Sequence, residues 1–225
     1  MKVSGYRSRW AFILKRCEGR SVLHLGCVGE TDVSPEHKVQ AFSAKRVLHP
    51  HLMAIAREVL GIDVDARAVE LLRAQLGVSG IVVGDAQHLE ELGPAKQFEV
   101  ILCGDLLEHL SCPGLVLDGV RRFMGPASAL IVSVPNSFGL LANLRFTFGR
   151  FREGAQHVVA FSKFNLVTLL QRHGFQVIEL YSAYDRPPAS LKQRLLFALG
   201  VPFFRLFPER GGTLMCVARL ALVPN

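Results

Sequence analysis

Short apolar runs rich in valine, isoleucine and leucine recur along this chain, separated by longer segments whose apolar residues follow a helical period. Such runs are typical of buried parallel strands, and the segments between them are typical of crossover helices. Predicted strands cover residues 21–25, 59–64, 80–83, 98–103, 129–134, 175–181 and 213–222. Predicted helices cover residues 6–17, 50–58, 66–76, 113–124 and 162–173. The pattern predicts an α/β fold with a seven-stranded, doubly wound, mostly parallel sheet and helices on both faces.

The organisation of the chain predicts one domain over residues 1–225, because no internal repeat and no long Pro/Gly/Ser linker divides it. Residues 1–20 are expected to carry an amino-terminal helix. Two stretches exceed a minimal alternating fold, namely residues 28–49 after the first strand and residues 185–212 before the last. Within the second stretch, residues 191–207 mix aromatic and aliphatic side chains with basic ones, which predicts an amphipathic insertion.

The cysteine content indicates the cellular compartment, but the net charge does not identify a binding partner. A net charge of +7 attracts nucleic acid, anionic lipid or an acidic substrate alike, and it also fits a solvated basic surface. Five cysteines without a CxxC pair suit a reducing compartment. No secretory h-region and no run of 18 apolar residues is visible, so we expect a cytoplasmic protein, with membrane contact left open.

Small and acidic residues follow the first four predicted strands. Ligands of open α/β sheets bind outside the carboxyl ends of the strands. A glycine there lets the backbone approach a ligand, and a carboxylate can accept two hydrogen bonds from ribose hydroxyls. The residues at these ends are Gly26, Cys27, Gly29, Asp63, Val64, Asp85, Ala86, Gly104 and Asp105. Their order predicts a nucleoside site along one edge of the sheet.

Several segments together resemble one known family. They are Val-Leu-His-Leu-Gly-Cys at 22–27, Gly-Ile-Asp-Val-Asp at 61–65, Gly-Asp-Ala at 84–86, the run at 98–110 ending in Leu-Glu-His-Leu, and Val-Ser-Val-Pro-Asn at 132–136. These segments resemble class I S-adenosylmethionine-dependent methyltransferases, and within them the ubiquinone-type and cell-envelope sugar methyltransferase group. The resemblance covers residues 21–184 and implies an antiparallel last strand.

The resemblance also implies roles for the residues at the strand ends. Gly26, Cys27 and Gly29 would line the methionine half of S-adenosylmethionine, Asp63 would hold the ribose, and Asp85 with Ala86 would meet the adenine. Val64 is also expected to contact the cofactor. Gly104 and Asp105 would face the methionyl group and the acceptor. The chain departs from the family at His24, where an acid is usual, and at Val28 and Glu30, where glycine is usual. Loss of the acid removes a usual partner for the ammonium group of the cofactor.

The acceptor side offers fewer signals, because methyl transfer depends mainly on alignment. His157 is our candidate base for a hydroxyl acceptor, and its alternative role is a surface or capping histidine before the helix at 162–173. We expect His109 to be structural. Residues 137–161 could form an apolar lid, or simply pack as a helix. Together with residues 191–207 they raise the hypothesis of a membrane contact or a lipid-linked substrate.

Metal binding is not expected from the sequence, because His37, His49 and His51 share no ligand spacing with a cysteine or an acid. The sequence favours a methyltransferase for a small-molecule, sugar or lipid-linked acceptor, most simply an O-methyltransferase, with an N-methyltransferase as the alternative. A degenerate binding or scaffold protein of the same fold stays open because of the altered glycine loop. A nicotinamide oxidoreductase is disfavoured because Gly26 and Gly29 do not complete G-x-G-x-x-G. No nucleic-acid partner is expected, since no reader module is recognised.

Overall fold

The computed structural model describes residues 1–29, 32–93, 95–150, 154, 156–184 and 191–221. Its strands are β1 (Tyr6–Ser8), β2 (Ser21–Leu25), β3 (Glu58–Asp63), β4 (Ile81–Val83), β5 (Phe98–Gly104), β6 (Met124–Pro135), β7 (Phe175–Tyr184) and β8 (Thr213–Leu220). Its helices are α1 (Arg9–Cys17), α2 (Pro35–Ser43), α3 (His49–Ile55), α4 (Ala66–Leu76), α5 (Pro113–Val120), α6 (Leu140–Thr147), α7 (Lys163–Arg172) and α8 (Leu191–Leu206).

The strands form one sheet in the order β1-β7-β8-β6-β5-β2-β3-β4. Strand β2 pairs in parallel with β3 and with β5, and β3 pairs in parallel with β4. Strand β8 runs antiparallel to β7, as the family resemblance implied for the last strand. The predicted α/β fold with a mostly parallel sheet is confirmed, and all seven predicted strands are present, six of them with shifted ends.

Three predictions about elements were wrong in detail. The sheet has an eighth strand, β1, inside the segment predicted as an amino-terminal helix, and its Tyr6 pairs in register with Ser182 of β7. The predicted helix at 50–58 ends at Ile55, because Glu58 already begins β3. The predicted helix at 113–124 ends at Val120, and Met124 begins β6.

Contacts divide the chain into two compact units. The first unit comprises Leu14–Gly104 and Cys112–Leu130, and the second comprises Met1–Ile13, Asp105–Ser111 and Ile131–Asn225. In the first unit the long connection after β2 folds into α2, which packs against α4. That contact buries one apolar cluster, which consists of Cys27, Val28, Val39, Phe42, Ala68, Val69, Leu72, Val78 and Ile81. The connection is therefore part of the core.

In the second unit, the chain is closely packed around Gly211, which lies just before β8 of the antiparallel pair β7 and β8. The Asn136 amide donates to the Gly211 carbonyl at 2.7 Å, and a Cβ at Gly211 would lie 2.5 Å from the Ser182 hydroxyl oxygen. Of the predicted insertion, residues 185–190 lie outside the described residues, and residues 191–206 form α8. Among the described residues, no helix combines the length and apolarity needed to span a bilayer.

Candidate active site

The first unit brings four parallel strand ends to one edge of the sheet. Strands β2, β3, β4 and β5 point the same way, so the residues that follow them share that edge. The chain leaves β2 through Gly26, which has a φ of 67° and donates its N–H to the Ile62 carbonyl at 2.9 Å. Gly29 has a φ of 121°, a conformation that favours glycine. The Cys27 thiol is buried in the core, and burial raises its pKa well above the ordinary value.

Asp63 lies at the end of β3 with both carboxylate oxygens oriented by the backbone. One oxygen accepts the Val28 N–H at 2.8 Å and the other accepts the Asp65 N–H at 3.1 Å. Burial raises the pKa of Asp63 and outweighs these two hydrogen bonds and the nearby Lys38 charge, which lower it. Each oxygen keeps a second lone pair for another donor. Val64, directly beside this carboxylate, is a large apolar side chain that is 55% exposed.

Asp85 follows β4 on the same edge as Asp63. The Gly84 N–H donates to the Asp63 carbonyl at 3.0 Å, which ties the two strand ends together. The Asp85 carboxylate accepts the Gln87 N–H at 2.8 Å, and Ala86 between these residues is buried. The two acids that the sequence placed at one edge of the sheet are therefore neighbours there. Gly104 ends β5, which pairs with β2 in the same parallel part of the sheet.

A buried cation that the sequence did not reveal lies close to this edge. The Lys38 ammonium on α2 donates to the Asp65 carboxylate at 2.6 Å, and only 3% of the Lys38 side chain is exposed. Asp65 also caps α4 by accepting the Ala68 N–H at 2.9 Å. Burial opposes ionisation of Asp65, but the bonds from Lys38 and Ala68 outweigh it and lower its pKa. An acid before a helix predicts a cap, whereas no motif marks Lys38.

His24, which stands where the family has an acid, is buried against His49. The two Nδ1 atoms lie 3.1 Å apart, and the rings stack with centroids 5.3 Å apart. Burial lowers the pKa of His49 to about 4, so its imidazole is neutral at pH 7. A Cβ at Gly61 would lie 2.8 Å from the His49 ring, so glycine is required there. Two stacked imidazoles therefore occupy the position where the family has an acid, and neither of them supplies a carboxylate.

In the second unit, Asp105 is held in place by a serine and an arginine. Its φ is 48°, a left-handed conformation that costs on the order of 1 kcal/mol in a residue with a side chain. Its N–H donates to the Ser133 carbonyl at 2.8 Å, the Ser133 hydroxyl donates to one carboxylate oxygen at 3.2 Å, and the Arg9 guanidinium forms an ion pair with the other. The negative charge of Asp105 is therefore balanced by Arg9, and the orientation of its carboxylate is fixed. No sequence motif marked Arg9 in advance.

His157 lies beside Glu108 and His109 in the same unit. The Glu108 carbonyl accepts the Val158 N–H at 2.8 Å and the Val159 N–H at 3.1 Å, which anchors the loop that carries His157. The His109 and His157 rings meet edge to face with centroids 4.9 Å apart. Burial raises the pKa of the Glu108 carboxyl to about 7, although its own backbone N–H and the Arg9 charge lower it.

One ligand atom from each of Glu108, His109 and His157 lies within 4.8 Å of the others, so these three residues could hold a metal ion. None of these three residues is among the histidines that the sequence analysis considered as metal ligands. His37 contacts the Ser34 hydroxyl, and His51 contacts the Lys45 carbonyl. Spacing could not reveal the group, because His157 is distant in sequence from the adjacent pair and is brought to it by the Glu108 carbonyl.

Comparison with known proteins identifies the family. The family described as a methyltransferase domain matches residues 8–180, and the chain belongs to it. The predicted class, S-adenosylmethionine-dependent methyltransferases, is thereby confirmed. A ubiquinone biosynthesis O-methyltransferase of Thiobacillus denitrificans is 25% identical over 138 residues, which cover 60% of this chain and 53% of that protein. The chain thus spans about half the length of this relative.

Solved structures share the fold. An S-adenosylmethionine-dependent methyltransferase from Clostridium acetobutylicum aligns with a TM-score of 0.59 at 11% identity, covering 95% of this chain and 91% of that one. The N-methyltransferase NodS from Bradyrhizobium japonicum, crystallised with S-adenosyl-L-homocysteine, aligns with a TM-score of 0.52 at 16% identity, covering 94% and 85%. At these identities the likeness concerns the fold, and it leaves the acceptor to be argued from the site.

Proposed function

We propose that this chain is an O-methyltransferase that uses S-adenosylmethionine to methylate a hydroxyl group of a small-molecule, sugar or lipid-linked acceptor. The observation that carries the proposal is the shared edge of four parallel strands, where Asp63 and Asp85 are tied together by the Gly84 N–H. A ribose with two adjacent hydroxyls suits the two free lone pairs of the Asp63 carboxylate. The O-methyltransferase named among the relatives supports oxygen as the acceptor atom.

The remaining residues of the edge fit the other parts of the cofactor. The exposed apolar side chain of Val64 offers a surface for one face of the adenine, and Asp85 with Ala86 offers an acceptor and a small neighbour for its edge. Gly26 and Gly29 let the backbone approach the methionine half, to which Cys27 would contribute backbone because its thiol is buried. Gly104 would leave space for the methionyl group at the end of β5.

When bound, the cofactor supplies an electrophilic methyl group, so the residues of the chain have to position the acceptor and assist loss of its proton. The proposed reaction breaks the sulfur–methyl bond as the oxygen–methyl bond forms, and the hydroxyl proton leaves. We assign assistance with proton loss to His157, and positioning of the hydroxyl to Asp105. The Arg9 ion pair and the Ser133 hydroxyl hold Asp105 in one orientation, which suits a positioning residue.

Titration calorimetry with S-adenosylhomocysteine tests the proposal directly. We expect one equivalent to bind per chain. We also expect radiolabelled methyl groups from S-adenosylmethionine to appear on a hydroxyl acceptor from a panel of phenols, sugars, polyprenyl-linked sugars and amines. Absence of binding would favour the alternative of a scaffold protein. Binding with transfer only to amine acceptors would keep the methyltransferase and reject the assignment to oxygen.

The acceptor class is suggested by apolar side chains that the second unit leaves exposed. None of the residues of α6, all of which are described, is buried. Exposed apolar residues in and around α6 are Phe138, Leu141, Leu144, Phe146 and Phe148. Arg145 and Arg150 are exposed among them. A cluster of exposed apolar residues of this size marks an interaction site, and the basic side chains favour an anionic lipid surface. We therefore propose that the acceptor is lipid-linked.

Replacing both Phe146 and Phe148 with serine is expected to weaken binding to anionic vesicles at least about tenfold, because two inserted rings are lost and full burial of one ring contributes roughly 1.5 to 3 kcal/mol. The two side chains are 73% and 72% exposed. Flotation with vesicles of phosphatidylcholine containing phosphatidylglycerol measures the bound fraction. Phe164→Ser is the matched control, since Phe164 on α7 is equally exposed but lies outside this segment. Failure of the unmodified chain to float would reject the membrane contact.

A further inference from the structure

Glu108 is a buried carboxyl group with no hydrogen-bond partner in another residue that the structure describes. Only 1% of the residue is exposed, and neither of its carboxylate oxygens has a partner among the described residues. A buried carboxylate without compensation costs several kcal/mol. Proteins usually remove this cost with a paired cation, a metal ion or a proton. The nearby cation does not supply the pairing, because the Arg9 guanidinium is bonded to the Asp105 carboxylate.

Two histidines bring nitrogen donors to this carboxylate. His109 follows Glu108 directly, and the Glu108 carbonyl holds the backbone of Val158 and Val159, so that His157 reaches the same place. One carboxylate oxygen and one ring nitrogen from each histidine lie within 4.8 Å of one another. Ligand atoms around a four-coordinate ion with bonds of about 2 Å are roughly 3 to 4 Å apart. Small side-chain rotations would therefore close the three donors around one ion.

We infer that Glu108, His109 and His157 form a binding site for one divalent first-row transition-metal ion, such as Zn²⁺ or Mn²⁺. Two imidazole nitrogens with one carboxylate oxygen are a common ligand set for such ions, whereas Mg²⁺ prefers oxygen ligands only. Three protein ligands also leave coordination positions open, which distinguishes catalytic from structural metal sites. The sequence led us to expect no metal, because the spacing of these residues along the chain hides their proximity.

The ion would give the site a chemical role that rests on the proposed function. A divalent ion lowers the pKa of a hydroxyl ligand, so an acceptor hydroxyl at an open position would release its proton to bulk water. His157 would then assist proton loss as a ligand of the ion, and it would not accept the proton itself. The oxygen–methyl bond forms as the sulfur–methyl bond breaks, as in the reaction without the ion.

Calorimetric titration of the chelator-treated full chain with ZnCl₂, MnCl₂ and MgCl₂ tests the site. We expect one equivalent of Zn²⁺ or Mn²⁺ to bind much more tightly than Mg²⁺. Glu108→Gln and His157→Asn should each weaken Zn²⁺ binding at least 100-fold, because each replaces an ionised carboxylate or an imidazole nitrogen with a neutral amide, and even loss of an outer-shell partner costs about 10- to 100-fold. The control variant is His37→Asn, because the exposed His37 imidazole contacts Ser34 and its replacement should leave the affinity unchanged.

Absence of stoichiometric Zn²⁺ and Mn²⁺ binding would overturn the inference, as would binding that both ligand variants retain. Circular dichroism checks the fold of each variant, and if Glu108→Gln does not fold, His157→Asn on its partly exposed loop decides the question. Titration of the same variants with S-adenosylhomocysteine separates the two proposals. Variants that lose metal binding but still bind S-adenosylhomocysteine would support both proposals. An unmodified chain that binds the metal but not S-adenosylhomocysteine would support the metal site and reject the methyltransferase function.

Discussion

Replacing Asp63 with alanine is expected to weaken binding of S-adenosylhomocysteine about 100- to 10,000-fold. Hydrogen bonds to a charged acceptor are worth roughly 1.5 to 3 kcal/mol each, and the proposed ribose site uses two of them. Every 1.4 kcal/mol is about tenfold in affinity. The carboxylate also fixes the Val28 N–H, so the loop that contains Gly26 and Gly29 loses an anchor in the same variant. Both effects act in the same direction.

Calorimetry on Asp63→Ala, Asp63→Asn and Glu70→Gln separates these contributions. The asparagine variant keeps one acceptor oxygen and is expected to fall between the wild type and the alanine variant. Glu70 on α4 is exposed and pairs only with Arg67 among the described residues, so its variant controls for the loss of one negative charge. Thermal unfolding shows whether the loop anchor contributes to stability. An Asp63→Ala protein that binds S-adenosylhomocysteine as tightly as the wild type would contradict the proposed ribose site.

The parallel strands of the first unit could be predicted from the sequence because their signal is local. Residues 21–25 are a fully buried run bounded by Gly19 and Gly26, both of which have positive φ, and the observed β2 has the predicted ends. The acids at the strand ends follow from the same reasoning, since a parallel sheet places all carboxyl ends at one edge. The sequence pattern and the parallel topology were therefore sufficient to predict that Asp63 and Asp85 lie at the same edge of the sheet.

The elements that were mispredicted depend on contacts that are distant in sequence. Residues Tyr6–Ser8 become a strand because β7 offers its edge in parallel register, and nothing in three residues of sequence announces that pairing. Likewise α2 is stabilised because its apolar side packs on α4, so no helix was predicted in the connection that contains it. Local propensity is weaker than tertiary packing at such short elements.

The acids near the candidate site are compensated in different ways, and these differences were also hidden from the sequence. Asp63 is held by two backbone N–H groups, whereas Asp65 and Asp105 are each paired with a cation. The Glu108 carboxylate has no hydrogen-bond partner in any other described residue. A sequence shows that acids are present, but their partners come from α1, α2 and loops whose positions depend on the fold. The chemical role of each acid follows from its partner.

The Lys38–Asp65 pair gives the largest expected effect on stability, and the effect depends on which partner is removed. Asp65→Ala removes the helix cap, worth about 1 kcal/mol, and leaves a buried ammonium without its partner, so we expect a loss of about 4 kcal/mol in total. Lys38→Met keeps the cap and leaves Asp65, which is partly exposed and can be hydrated, so its cost should be about 1 kcal/mol or less.

Chemical denaturation of the two single variants and of the double variant checks this asymmetry. If the unpaired Lys38 ammonium causes most of the loss, adding Lys38→Met to Asp65→Ala should restore roughly 2 to 3 kcal/mol, so the double variant is more stable than the single Asp65 variant. Asp65→Asn, which retains a capping side chain, isolates the ion pair from the cap. Additive costs in the double variant would mean that the burial of Lys38 carries no electrostatic penalty, because the methionine would then relieve nothing.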